Sequence, residues 1–60
     1  MDEKEYRLLI LETLQETESL SRKLLETPLL ITDDELAALD YNLNMIAEYS
    51  KEIKEKRGIK

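Results

Sequence analysis

Pro28 and the Thr32-x-x-Glu35 spacing that follows it divide this chain into two uninterrupted arms, and that division leaves few folds open. Proline disfavours helical geometry at the residue before it and has no backbone N–H to donate, so a helix arriving from the N-terminus stops near Glu26 or Thr27. Thr32 and Glu35 have the spacing of a capping box. The threonine hydroxyl can accept from the Glu35 N–H, and the Glu35 carboxylate can accept from the Thr32 N–H. Ile31 and Leu36 flank that cap at the positions of a hydrophobic staple. Asp33, Asp34 and Glu35 put acids in the first turn, where the helix dipole favours negative charge.

Nothing between Asp2 and Glu26 breaks a helix, and the predicted first helix runs over about 2–27. At 100° per residue its main stripe is Tyr6, Leu9, Ile10, Thr13, Leu14, Thr17, Leu20, Ser21, Leu24 and Leu25. Thr13, Thr17 and Ser21 make the middle of that stripe polar and small, which lets a facing helix approach or leaves the seam weakly packed. A connector over 28–32 leads to a second helix over about 33–57. Gly58 is suited to a left-handed C-terminal position, and Ile59 and Lys60 are expected to fray. A heptad reading of the second helix gives Leu36, Leu39, Leu43, Ile46, Ser50, Ile53 and Arg57 as its seam.

Equal arms and a short connector predict an all-α, two-helix antiparallel hairpin. The charge distribution predicts the same. Residues 49–60 carry five bases against two acids, and the hairpin lays them beside Asp2, Glu3 and Glu5. It also brings Arg22 and Lys23 near Asp33 and Asp34. Residues 1–60 then form a single helical domain. A core this small usually needs a disulfide, a metal or a partner chain. With no Cys and no His, self-association is the remaining source of stability, and a homodimeric four-helix bundle is expected.

Function classes fall away in turn. A net charge of −5 argues against nucleic acid, whose binders present basic faces. No apolar run approaches the ~20 residues that cross a bilayer. The opening Met1-Asp2-Glu3-Lys4-Glu5 is too acidic and polar for a secretory signal, so the cytoplasm, of a cell or of an infected host, is the expected compartment. Glu12/Glu16 and Glu48/Glu52 are carboxylate pairs one turn apart, read here as solvated polar faces. There is no base to activate a hydroxyl and no glycine-rich phosphate loop. Asp33-Asp34-Glu35 lacks the alternation and glycine of a calcium loop. No enzyme activity, cofactor or metal is expected.

What remains is protein binding. Ala38, Tyr41, Met45 and Tyr49 form a second stripe on helix two, and Tyr and Met are favoured interface residues. The stripe serves either self-association or a partner. Leu8 and Leu11 lie off the main stripe of helix one. Leu29 and Leu30, with Ile31, either close the end of the bundle or form an exposed docking tip.

The architecture resembles small helical-hairpin regulators such as the plasmid copy-number protein Rop and the Spo0E-like phosphatases of sporulating bacteria. Met45-Ile46-Ala47-Glu48-Tyr49 is similar to the apolar pair and tyrosine that trail the phosphatases' Ser-Gln-Glu-Leu-Asp motif. The motif positions themselves hold Leu39-Asp40-Tyr41-Asn42-Leu43, so the resemblance implies the fold and carries no phosphatase residues. The expected function is a small regulatory or adaptor protein, such as a phage or bacterial antagonist of a host protein. A structural or chaperone-like subunit of a larger assembly is the alternative, and a Spo0E-like phosphatase effector ranks behind both.

Overall fold

A computed structural model describes residues 2–58 as two helices, α1 (Glu3–Glu26) and α2 (Asp33–Lys56), packed against each other as an antiparallel hairpin. Met1 and the terminal Ile59 and Lys60 lie outside the described residues. The hairpin measures 42 × 26 × 15 Å, which makes it one helix thick.

The corner is built as its residues dictate. Thr27 accepts from the Leu30 N–H at 3.0 Å, closing a turn with Pro28 at its second position, where a fixed φ is favourable. At the start of α2 the Thr32 N–H donates to Glu35 Oε1 (2.9 Å) and the Glu35 N–H donates to Thr32 Oγ1 (3.1 Å), so the capping box is complete. Ile31 and Leu36 are both half-buried, as a staple requires. At the other end Gly58 takes φ +70°, the left-handed position past the last turn. Thr32→Ala is therefore expected to cost about 1 kcal/mol and to lower the thermal midpoint by roughly 4–8 °C for a chain this short. A circular-dichroism melt within 2 °C of the parent would remove the cap from the account.

Lys23 Nζ sits 2.6 Å from Glu35 Oε2, a contact that ties the end of α1 to the start of α2. Antiparallel charge matching predicts this neighbourhood, but the partner is Glu35 rather than Asp33 or Asp34. Arg22 instead pairs with Glu18 along its own helix. The Lys23 ammonium, then the Thr32 backbone N–H, hold the Glu35 carboxyl below its ordinary value of 4.5. A lowered folded pKa contributes stability above the unfolded value, and that contribution disappears as pH falls through the folded value. Lys23→Met should therefore melt below the parent at neutral pH, with the gap closing on acidification below pH 4.5. A gap that stays constant across paired melts from neutral pH to pH 2 would refute the assignment.

The seam between the helices is thin. Ile10 and Leu39 are its buried apolar residues, joined by buried Thr13 and Asn42. The Thr13 hydroxyl donates to the Leu9 carbonyl (2.8 Å), the Thr17 hydroxyl to the Thr13 carbonyl (2.7 Å), and Asn42 Nδ2 to Glu16 Oε1 (2.7 Å). No buried side-chain nitrogen or oxygen among the described residues lacks a partner.

The face that α2 turns inward differs from the heptad reading. Asn42 is 6% exposed, whereas Leu43, a heptad seam position, is 50% exposed. Leu39, Ile46 and Ile53 belong to both patterns, but the observed seam takes Asn42 and Tyr49 in place of the exposed Leu43 and Ser50, while Glu35 and Leu36 are both half-buried. This is a rotation of the helix by about 50° at 100° per residue. It has two visible causes. The Tyr49 ring packs edge-on against Tyr6 with centroids 5.7 Å apart, and the Asn42 amide reaches the Glu16 carboxylate. On α1, Ile10, Thr13, Thr17 and Leu20 turn inward, while Leu9, Leu14 and Leu25 of the expected stripe are exposed.

Candidate functional site

Two clefts lie along the hairpin. The first, at its open end, is lined by Glu3, Tyr6, Arg7, Tyr49, Glu52, Ile53 and Lys56. Lys56 and Glu3 thus share one cleft, as the antiparallel charge pattern requires. Here the Tyr6 hydroxyl donates to Glu52 Oε2 (3.1 Å). Partial burial, then the hydrogen bond and charge of Glu52, push the Tyr6 phenol above its ordinary value. A neutral tyrosine locked to a carboxylate is a structural clasp, and Arg7 is engaged by Glu3 at 2.9 Å.

The second groove crosses the middle of one face. Leu9, Glu12, Thr13 and Glu16 of α1 form one wall, and Tyr41 and Met45 of α2 form the other. Thr13 Oγ1 and Met45 Sδ meet at its floor, 3.4 Å apart. The spacing explains the composition. Leu9 lies three residues before Glu12 and four before Thr13, Glu16 lies four after Glu12 and three after Thr13, and Tyr41 lies four before Met45, so each set shares a helix face. The floor joins the Thr13 hydroxyl to the Met45 thioether, and the α1 rim is acidic. Tyr41, 64% exposed, stands open on the α2 side.

No family model, curated protein or solved structure matches this chain. The groove must therefore be read from its own chemistry. Among the described residues no group of three or more acids gathers as a metal site would require, and no helix is long and apolar enough to cross a membrane.

The residues singled out for recognition separate into three sets. Tyr41, Leu8 and Leu11 are open to solvent. Met45, Tyr49 and Ala38 are half-buried along α1, so their stripe is partly spent inside the hairpin. Only Tyr41 and Met45 of that stripe line the groove. Leu29 (96% exposed) and Leu30 (71%) form the tip of the turn, and within one hairpin they cap nothing.

The structure adds Leu9, Glu12 and Glu16 to the candidate site. The signal for the glutamates was their one-turn spacing, read as solvated polar surface. Glu16 in fact accepts from buried Asn42, and Glu52 from Tyr6. Both carboxylates sit on the margin of the seam rather than away from it.

Proposed function

We propose that this chain is a small non-enzymatic regulatory or adaptor protein, active as a pair of hairpins in a four-helix bundle, that binds a partner protein through the Leu9–Tyr41–Met45 groove. The observation that carries the reading is the groove itself: Leu9 and Met45 supply apolar surface beside an acidic rim, with an exposed tyrosine at the edge. Such a surface suits a partner segment that offers an apolar side chain flanked by lysines or arginines. The overall charge of −5 favours the same kind of partner at encounter range.

The test is capture of partners from native lysate with the parent, Tyr41→Ala and Glu12→Lys chains, followed by titration of the captured protein. Tyr41→Ala removes a contact of the kind that dominates interfaces, so affinity should fall by about tenfold or more. Glu12→Lys should weaken binding further at low salt than at high salt. If both variants fold and bind as the parent does, the groove is not the site.

The exposed Leu29–Leu30 tip supports a second reading, a subunit held permanently in a larger assembly. In that case Leu29→Asp with Leu30→Asp would abolish co-purification while leaving the groove variants without effect.

A further inference from the structure

Resting on the two-hairpin reading above, we infer that the second copy covers the face opposite the groove and lies antiparallel to the first, with the two turns at opposite ends. The helix spacing puts Arg7, Leu11, Leu14 and Glu18 in one row on α1, and Asp40, Leu43, Ala47 and Lys51 in one row on α2. Leu14 lies about 140° around α1 from Leu9, on the other side of the seam, by 100° steps. Leu43 is displaced from Met45 in the same sense. Both rows therefore lie on the face away from the groove.

That face is apolar in its middle. Leu11 and Leu14 are 49% and 45% exposed, and Leu43 and Ala47 stand beside them uncovered. The inward turn of Asn42 in place of Leu43 makes sense if Leu43 has a partner elsewhere. The surface area agrees. The chain exposes 5156 Å², against about 4,100 Å² for a compact protein of its 7.1 kDa. The excess of about 1,000 Å² is close to the ~800 Å² that each side gives up in an interface of standard size.

The two rows also choose an orientation. Each inverts its charge about its midpoint: base, apolar, apolar, acid along α1, and acid, apolar, apolar, base along α2. The midpoint of the first falls between Leu11 and Leu14, beside Thr13. The midpoint of the second falls beside Met45. Thr13 and Met45 touch, so the midpoints are level across the hairpin. A two-fold axis through that level, in the plane of the interface and across the helices, sets Arg7 against the other copy's Glu18 and Lys51 against its Asp40. Leu11 then meets Leu14, and Leu43 meets Ala47. Such self-complementarity is what a two-fold contact needs. An axis along the helices would set bases against bases and acids against acids. Each surface pair contributes little alone, but the pairs act together and the parallel arrangement reverses all of them.

The chain has no native cysteine, so single cysteines report the geometry directly. The full chain should sediment at twice 7.1 kDa. On mild oxidation, Arg7→Cys mixed with Glu18→Cys should form a mixed disulfide, whereas each variant alone stays uncrosslinked. Tyr41→Ala in the same backgrounds should leave that pattern unchanged, because the groove is on the other face. Leu14→Glu should sediment at half the parent mass or lose its helical signal. A mixed disulfide between Arg7→Cys and Lys51→Cys would mean the parallel arrangement and overturn the inference. So would a parent that sediments as a monomer, or a dimer that Leu14→Glu leaves intact. Groove variants that still capture the partner, with the crosslink retained, would instead sink only the groove.

Discussion

Leu39→Ala is expected to unfold most of the chain at 25 °C. Leu39 and Ile10 are the buried apolar side chains of the seam, and truncating a buried leucine costs about 2–5 kcal/mol. A single core in a chain of this length rarely supplies more than about 3–5 kcal/mol in total, so the loss matches the whole stability. Of the other seam residues near Leu39, Asn42 is buried and polar, and Leu20, Leu36 and Ile46 are half-buried aliphatics. Leu25→Ala is the matched control. Leu25 is exposed, and a surface truncation of that kind shifts stability by about 0.5 kcal/mol or less. Urea titrations followed at 222 nm decide the matter, run at several concentrations because a dimer's midpoint rises with concentration. A Leu39→Ala midpoint close to that of Leu25→Ala would mean that the core is not where the seam puts it.

The corner and the seam differ in how far they can be read from residues. The corner was legible because its interactions are local. Thr32, Glu35, Ile31, Leu36 and Pro28 act within one or two turns, and nothing distant competes with them. The antiparallel pairing was legible too, since equal arms and opposed charges leave little alternative. The rotation of α2 was not. Leu36, Leu43 and Ser50 fit a heptad as well as Glu35, Asn42 and Tyr49 do once Leu39, Ile46 and Ile53 are shared. Hydrophobicity alone favours the leucines. What decides the rotation is pairing across the gap, Tyr49 with Tyr6 and Asn42 with Glu16, and such pairing is invisible until both helices are docked. The candidate site inherits this. Tyr41 and Met45 were legible as a surface stripe, but Glu12 and Glu16 entered the groove only when the second helix was set beside the first.

The Asn42–Glu16 hydrogen bond should behave as a coupled unit. Asn42→Ala removes a buried donor to a carboxylate, an interaction worth about 1.5–3 kcal/mol net when one partner is charged. Glu16→Ala should cost a similar amount, because it leaves the Asn42 amide buried without an acceptor. The double variant should then cost no more than either single one, a coupling of about 1.5–3 kcal/mol. Additive losses would show that the 2.7 Å contact contributes nothing jointly. Asn42→Leu separates strength from specificity. An apolar residue in this buried site can match or exceed the amide in stability, since the cost of desolvating it is removed. The helix then has leucine at 39, 42 and 43, and nothing polar distinguishes the observed face from the heptad face. The Tyr6–Tyr49 edge contact is the reporter, through ring-to-ring cross-relaxation in solution. Retained stability with a weakened Tyr6–Tyr49 signal is the expected result. A stable variant with that signal at full strength would mean that the aromatic pair, and not Asn42, sets the rotation of α2.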